Sequence, residues 1–471
     1  MSGTQPRSEE PGLVVLSNRL PVSRVGNKWQ TSAGGLVTAL LPLVSTRPTS
    51  WVGWDGGSHK LPEKLPGTDA GLVGVGLSRA DVKAYYDGFS NATLWPLFHD
   101  LVGTPEFQRS WWEAYQRVNR SFAEAALKTG EELSSPTYWV QDYQLMLVPQ
   151  LLRAGTDAPV RYFLHIPFPA PELFARLPWR DQLLRGLLGA DTVSFHTEHY
   201  RRNFVRACAL LLTDVTVRGR DIVLEDGRVV HTQANPISID TTDFAEDARS
   251  EEVTGRLQRL RRQFAGRRVL LGVDRLDYTK GIPERLLAFE RLLEDREDLH
   301  GRVCLVQIAV PSRGDVEEYQ RLRDLVDQLV GRINGRFTRP GEDVPVHYFH
   351  RGVAREDLLA YYLLADLMLV TPLKDGMNLV AKEFVTVQHA ALSARSATEG
   401  AGALVLSEFT GAADEMPQAY LCNPFDLDGV SAVMATALSA APEERRRRLD
   451  LLARRVRRHD IHAWAERELD Q

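Results

Sequence analysis

The chain alternates between short apolar runs and longer segments in which apolar residues recur at helical spacing. The apolar runs are 12–16, 51–54, 137–145, 161–165, 191–196, 229–232, 268–273, 303–310, 346–349, 366–370 and 403–406. Runs of this length are typical of strands buried on both faces of a parallel sheet. Helices are predicted at 33–44, 107–127, 283–293 and 443–459, and others begin near 356 and 377. The alternation predicts an α/β protein.

The alternation runs twice, in halves of similar size that meet near 235–240. It therefore predicts two Rossmann-like, doubly wound domains facing one another across a central cleft, with ligand groups at the C-terminal ends of the strands. We place a polar, disordered tail at 1–11, an N-terminal domain at 12–235 and a C-terminal domain at 236–440. Residues 441–471 are expected to form a helical segment that packs back on the N-terminal domain.

The most informative loop follows the apolar run 366–370. Pro372 closes that strand, Asp375 begins an Asp-Gly turn, and a helix begins near Met377. Free amides at a helix N-terminus, together with the helix dipole, bind anions such as a diphosphate. Glu383 lies about 9 Å further along the helix, which is the reach from a diphosphate to a ribose. The stretch predicts a nucleotide-sugar site in which Asp375 accepts from a sugar hydroxyl. An ordinary surface helix with a charged start is the alternative.

Other loops also carry polar groups at predicted strand ends. Arg275 and Lys280 lie between a strand end and a helix start, where both cations can reach a diphosphate. Asp142 and His165 each end a strand, and two prolines fix the loop after the histidine. Arg19 ends the first strand. The alternatives are a solvated loop for the two cations, a structural role for the histidine and a surface strand end for Arg19.

Composition narrows the class of partner. The chain has 471 residues, of which 25% are charged and 44% hydrophobic, and a net charge of −5, which argues against general binding to nucleic acid or anionic membranes. Cys208, Cys304 and Cys422 are far apart, which predicts a reducing cytoplasm and no disulfide framework or cysteine zinc site. No apolar run reaches the roughly 20 residues of a membrane span.

Eight arginines in 443–459 predict a solvated basic face, with nucleic-acid binding as the minor alternative.

Residues 85–96 are denser in aromatic side chains than the chain average of 8%. They also include many turn-forming residues, so we expect an irregular segment rather than a helix or a strand. Aromatic rings on such a segment stack on sugars, and a tyrosine can donate to a phosphate. An aromatic cluster under a long loop is the alternative.

These motifs together resemble the trehalose-6-phosphate synthase family, from about residue 12 to the C-terminus. The segments that carry the resemblance are 17–19, 33–35, 89–91, 94–96, 142–143, 165–169, 275–281, 312–315 and 375–383. The resemblance implies a GT-B fold and a retaining transfer of glucose from UDP- or GDP-glucose to glucose 6-phosphate, with no metal and no cofactor beyond that co-substrate. It implies small-molecule partners and leaves a homo-oligomer possible.

The resemblance also implies a role for each matched residue. The expected catalytic set is Arg275 and Lys280, which neutralise the leaving diphosphate, with Asp142 at the acceptor and His165 at the transferred glucose. The donor is expected to be held by Gly34, Gly35, Val353, Asp375, Met377, Asn378, Leu379, Val380 and Glu383. The acceptor is expected to be held by Arg19, Tyr86, Trp95 and Arg313.

Several positions depart from the family pattern. Gln141 and Gln144 stand where the family commonly has His, Asp274 stands where Glu is frequent, and 394–401 resembles a small insertion. Two alternatives therefore stay open: a related transferase that makes a pseudo-disaccharide phosphate, such as the validoxylamine 7′-phosphate type, and a non-catalytic sugar-phosphate sensor. The two diphosphate cations argue against a sensor, which has no leaving group to stabilise. UDP-, GDP- and ADP-glucose are not distinguished.

Overall fold

The computed structural model describes residues 11–25, 28–31, 37, 40–41, 44, 47–57, 61–101, 105–312, 317–392 and 400–469. The chain divides into two compact units, Met1–Ile237 with Trp464–Gln471, and Ser238–Ala463. The boundary lies close to the one placed after residue 235 from the sequence. The predicted tail at 1–11 and the insertion at 394–401 fall largely outside the described residues.

A nine-stranded sheet forms the centre of the first unit. In chain order the strands of this unit are β1 (Leu13–Arg19), β2 (Val22–Val25), β3 (Lys28–Thr31), β4 (Thr49–Trp54), β5 (Gly71–Val75), β6 (Thr137–Gln141), β7 (Val160–Leu164), β8 (Thr192–Phe195), β9 (Val215–Arg218), β10 (Asp221–Leu224) and β11 (Val229–Ala234). The sheet order is β5-β4-β1-β6-β7-β8-β11-β10-β9, and β2 pairs with β3 in a separate hairpin. Neighbours are parallel except that β10 is antiparallel to β9 and β11. The order reverses between β1 and β6, which makes this gap the switch point of the sheet.

The helices of the first unit are Arg79–Asp81, Trp95–Phe98, Arg109–Gly130, Val148–Arg153, Pro171–Phe174, Arg180–Leu187 and Glu198–Leu211, with a π-helix at Val82–Leu94 and a 3-10 turn at Tyr143–Leu145. The expectation that 85–96 is irregular is therefore wrong. Phe89 packs on Tyr115 of the long helix, with ring centroids 4.6 Å apart. A Cβ at Gly88 would overlap the Trp111 ring, so a glycine is needed at this position. Tertiary packing thus overrides the low helix propensity of this segment.

The second unit contains a six-stranded sheet in which every neighbouring pair is parallel. Its strands are β12 (Arg268–Arg275), β13 (Val303–Val310), β14 (Val346–Phe349), β15 (Leu367–Val370), β16 (Ala403–Ser407) and β17 (Tyr420–Cys422). The order is β14-β13-β12-β15-β16-β17, so the switch point lies between β12 and β15. All four side chains of β15 are buried, which explains why that strand has no polar residue.

The helices of the second unit are Thr241–Asp247, Glu251–Gln263, Ile282–Asp295, Glu317–Phe337, Arg355–Leu364, Leu379–Ala390, Gly411–Glu415, Leu427–Ser439 and Pro442–Arg458, with 3-10 turns at Tyr278–Lys280 and Glu297–Leu299. Leu449, Leu452 and Val456 are buried, which confirms the amphipathic helix predicted there. A last helix, Ile461–Leu469, crosses into the first unit. Residues 441–463 belong to the second unit, contrary to the expectation that the whole C-terminal segment packs on the N-terminal domain.

Candidate functional site

The switch point of the first sheet brings polar residues from two neighbouring strands together. Arg19 ends β1, and Asp142 follows the end of β6. Both line a cavity of about 410 Å³. The other lining residues are Ser17, Asn18, Leu20, Val22, Ser23, Val37, Trp54, Asp55, Gly56, Gln141 and Gln144. This mixture of carboxylate, amide, hydroxyl and guanidinium groups suits a small ligand with several hydroxyls and a negative charge.

The Arg19 guanidinium lies over two aromatic rings. Its central carbon is 4.7 Å from the centroid of the Trp54 ring and 5.4 Å from that of the Tyr86 ring. Trp54 reaches this position because it is the register partner of Arg19 in the β1–β4 pair. Stacking orders a long side chain and leaves its N–H edge for a planar or tetrahedral anion. The structure thus joins Arg19 with Tyr86 and adds Trp54, which we missed although the run 51–54 ends in that tryptophan.

Asp142 has a backbone conformation that is rare for a residue with a side chain. Its φ is +73° and its ψ is 170°, which costs on the order of 1–3 kcal/mol. Hydrogen bonds hold it there: its N–H donates to the Phe163 carbonyl at 2.8 Å, and its Oδ1 accepts from the His165 N–H at 3.2 Å. Strain that is stabilised in this way is frequent at functional sites, which agrees with the role expected for Asp142.

His165 is a neutral hydrogen-bonding group rather than a charge. Burial lowers the pKa of its imidazole well below the ordinary value of 6.5, and the neighbouring His196 lowers it further. Its Nε2 lies 2.8 Å from the Oε1 of Gln141. A neutral ring with its proton on Nε2 donates to that oxygen and keeps Nδ1 as an acceptor. Gln141, one of the departures from the family pattern, therefore fixes the orientation of the histidine ring.

Of the other predicted residues, Trp95 is buried and three lie outside the described ranges. Trp95 is 5% exposed, and its ring packs on His99 and Tyr143 at centroid distances of 4.2 and 5.7 Å. It therefore supports the segment next to Asp142 more than it offers an open stacking surface. Gly34, Gly35 and Arg313 lie outside the described residues.

The switch point of the second sheet brings the loop after β12 against the loop after β15. Lys280 Nζ lies 2.5 Å from Asp375 Oδ2. Asn378 donates to the same oxygen at 3.1 Å. Lys280 is 9% exposed, whereas Arg275, at the end of β12, is exposed. The site therefore holds one buried and one exposed cation within a single loop.

The helix Leu379–Ala390 begins at this switch point. Asn378 is its N-cap, with φ +77°, and its side chain accepts from the Ala381 N–H at 3.3 Å. The amides of Leu379 and Val380 precede the first bond within the helix, and the carbonyl of the buried Met377 accepts from Ala412 at 2.9 Å. The sequence predicts that these amides and the two cations form an anion site.

Glu383 is oriented by a buried tyrosine. The Tyr362 hydroxyl donates to Glu383 Oε2 at 2.8 Å. Burial raises the pKa of Glu383 above its ordinary value, and the hydrogen bond from Tyr362 opposes that rise. The carboxylate is thus held in one orientation on the helix that begins at the predicted anion site. Val353 is half-buried in the loop between β14 and the helix Arg355–Leu364.

A buried arginine beneath the second site was missed from the sequence. Arg285 is fully buried in the helix Ile282–Asp295. The signal was present, because the apolar residues Ile282 and Phe289 lie three positions before and four positions after Arg285, on the same helical face. A charge on an apolar face is a buried charge, and buried charges are paired.

Within the described ranges of the chain, His, Cys, Asp and Glu side chains form no group of three or more that could hold a metal ion. Across those same ranges, the helices are all too short or too polar to span a membrane.

Comparison with known proteins gives consistent matches. The model of glycosyltransferase family 20 matches residues 11–471. A trehalose-6-phosphate synthase from Mycolicibacterium gilvum (strain PYR-GCK) is 47% identical over 489 residues, which cover 99% of this chain and 94% of the relative. Another, from Mycolicibacterium smegmatis, is 45% identical and covers 100% of this chain and 94% of the relative.

Solved structures agree in fold with this chain. A trehalose-6-phosphate structure from E. coli, bound with UDP-2-fluoro glucose, has a TM-score of 0.88 and 36% identity, with 98% of each chain covered. An α,α-trehalose-phosphate synthase (UDP-forming) from Burkholderia xenovorans, in complex with glucose-6-phosphate, has a TM-score of 0.86 and 33% identity, with 97% of this chain and 98% of that chain covered.

Proposed function

Because this chain belongs to glycosyltransferase family 20, we propose that it moves glucose from a nucleoside diphosphate glucose to glucose 6-phosphate and forms α,α-trehalose 6-phosphate. The chain is a hexosyltransferase with the GT-B fold. One observation carries the proposal: the expected acceptor residues Arg19 and Asp142 lie at the switch point of one Rossmann-like sheet, and the expected donor residues Lys280 and Asp375 lie at that of the other.

We assign the acceptor to the cavity of the first unit. The stacked Arg19 guanidinium binds the phosphate, with the ring of Tyr86 beside it. Asp142 accepts from sugar hydroxyls. The relative in complex with glucose-6-phosphate supports this choice of acceptor. Arg313 is assigned to the same phosphate from the family resemblance.

We assign the donor to the second unit. The amides at the start of Leu379–Ala390 bind the diphosphate, Asp375 binds the glucose and Glu383 accepts from the ribose hydroxyls. Gly34, Gly35 and Val353 are assigned to the donor from the family resemblance. The neighbour bound with UDP-2-fluoro glucose supports UDP-glucose, and GDP-glucose remains the second candidate.

The proposed reaction depends on stabilising the charge that develops on the leaving diphosphate. Cleavage of the bond between glucose and phosphate places negative charge on the leaving diphosphate. Arg275 and Lys280 stabilise that charge, which is the task that a metal ion performs in metal-dependent transferases. Retention then proceeds by attack of the acceptor hydroxyl on the face that the diphosphate leaves, and the diphosphate takes the hydroxyl proton. Binding both substrates at once supplies the orientation. His165, whose neutral ring keeps Nδ1 as an acceptor, contacts the transferred glucose.

Turnover with defined substrates tests the proposal. Nucleotide release is measured from UDP-, GDP- and ADP-glucose, with and without glucose 6-phosphate, in EDTA. We expect release from UDP- or GDP-glucose only when the acceptor is present. Activity with a pseudo-sugar acceptor in place of glucose 6-phosphate would favour the pseudo-disaccharide transferase. No release from any donor, with glucose 6-phosphate still binding, would favour the sensor. Activity that appears without EDTA but is lost when EDTA is present would contradict metal independence.

The acceptor assignment predicts a selective effect of Arg19→Lys. Lysine keeps the charge but loses the planar fork and most of the stacking on Trp54 and Tyr86. We expect the KM for glucose 6-phosphate to rise about tenfold, which corresponds to about 1.4 kcal/mol, while the KM for the donor stays unchanged. Steady-state kinetics with each substrate varied measure both constants. Arg120→Lys, an exposed position on Arg109–Gly130, is the control. Equal changes in both KM values would contradict the assignment.

We also propose that the protein is located in the cytoplasm. Cys208, Cys304 and Cys422 are buried free thiols, which supports the reducing cytoplasm inferred from the sequence.

A further inference from the structure

A fully buried guanidinium lies directly beneath the second site. Arg285 is 0% exposed and comes from the helix Ile282–Asp295, not from either loop of the site. Its NH1 donates to Asp274 Oδ2 at 2.5 Å and to Gln307 Oε1 at 2.8 Å. The Asp274 side chain is 3% exposed, so this ion pair is isolated from water. Asp274, which departs from the family pattern, therefore has a defined role as the counterion of Arg285.

The other edges of the same guanidinium contact both loops of the site. Arg285 Nε donates to Thr371 Oγ1 at 3.0 Å, at the end of β15. Arg285 NH2 donates to the carbonyl of Lys280 at 3.3 Å, in the loop after β12. One rigid, planar group thus joins the strand end that leads to Asp375 with the residue that pairs with Asp375.

Neighbouring backbone contacts leave little freedom for these two loops. The Leu373 N–H donates to the Thr279 carbonyl at 2.8 Å. Gly281 has φ +61°, and a Cβ there would overlap the Thr371 carbonyl. Gly272 leaves the space that Arg285 and Gln307 fill, since a Cβ there would overlap both side chains. The glycines therefore allow the close packing, and Arg285 supplies the polar connection.

Stability alone does not explain a charge at this position. Moving a guanidinium out of water costs several kcal/mol, and well-packed apolar residues often replace a buried ion pair without loss of stability. Arg285 satisfies four of its five N–H groups at fixed angles, which an apolar side chain could not do. Its geometry is what an apolar replacement would lose.

We propose that Arg285 is a positioning residue that fixes Lys280 relative to Asp375, through its hydrogen bonds to the Lys280 carbonyl and the Thr371 hydroxyl. This inference rests on the proposed function, in which Lys280 stabilises the leaving diphosphate. A misplaced Lys280 would still carry its charge, but that charge would lie away from the oxygen on which negative charge develops. Misplacement by about 1 Å can lower a rate by up to about 100-fold.

A double-mutant cycle tests the proposal with Arg285→Lys and Thr371→Val, each alone and combined with Lys280→Met. Thr371→Val keeps the shape of the side chain and removes only the acceptor of Nε, so we expect it to fold even if Arg285→Lys does not. We expect each single variant to lower kcat about 10-fold or more, with an unchanged KM for glucose 6-phosphate. In the Lys280→Met background we expect no further loss beyond about twofold, because the residue through which they act is gone.

Arg291→Lys, on the exposed face of the same helix, is the matched control and should leave kcat unchanged. Thermal unfolding of each variant separates a folding defect from a positioning defect. Losses that multiply in the Lys280→Met background would overturn the proposal, because Arg285 would then act independently of Lys280. A near wild-type rate for Lys280→Met would overturn the proposed role of Lys280 itself, and this inference with it.

Discussion

Arg275→Ala is expected to lower kcat by roughly 100- to 1000-fold while the enzyme stays folded. Removal of one group that stabilises developing charge typically has an effect of this size, about 3–4 kcal/mol. Arg275 ends β12 with an exposed side chain, so its truncation leaves no cavity in the core. The donor KM should change less than kcat, because the charge on the diphosphate is greatest in the transition state. Steady-state kinetics and a thermal melt measure both quantities.

Two further variants make the result specific. Arg275→Lys keeps a cation and should recover part of the lost rate, since a point charge still stabilises the leaving group. Arg259→Ala, an exposed arginine on Glu251–Gln263, should leave the rate unchanged. If Arg275→Ala retained close to the wild-type kcat, the leaving-group role assigned to Arg275 would be wrong.

The fold was predicted well where burial alone dictates the residue pattern. The strands β13 and β15 have all or nearly all side chains buried, so their apolar runs give both their position and their parallel setting. The hairpin of β2 and β3 was missed because Ser23, Arg24 and Gln30 are exposed and give no apolar run. The π-helix was missed because its glycine and asparagine are accommodated by tertiary packing, which local propensity does not contain.

The positions of candidate site residues were predicted where a motif follows a strand end. The positions of Asp142, Lys280 and Asp375 followed from the rule that ligand groups gather at the carboxyl ends of parallel strands. Contacts between distant segments were not predictable in this way. Neither the stacking of Trp54 on Arg19 nor the bonds from Arg285 to two loops appear as a local pattern, because each depends on the register of strands far apart in the chain.

The C-terminal helix gives a prediction about stability and pH. Glu468 is 0% exposed in the first unit and accepts from Asn235 at 2.7 Å, Ser194 at 2.9 Å and Gln233 at 3.1 Å. Burial raises the pKa of its carboxyl from 4.5 to about 7 despite these bonds. Glu468→Gln can keep all three contacts, with Oε1 accepting from Asn235 and Gln233 and the new amide donating to Ser194. The variant therefore removes only the titration.

Proton linkage determines how the free energy of unfolding changes with pH. Between pH 4.5 and about 7 the folded state holds a proton on Glu468 that the unfolded chain has released, so the free energy of unfolding falls as pH rises through this window. The full loss is about 3 kcal/mol at about 1.4 kcal/mol per pKa unit. We expect Glu468→Gln and the parent to melt alike near pH 4.5, and the variant to melt about 5–10 °C higher at pH 8. Glu466→Gln, exposed on the same helix, should follow the parent at every pH. A variant that melts below the parent at pH 8 would show that the carboxylate is stabilised by its three donors more than burial destabilises it.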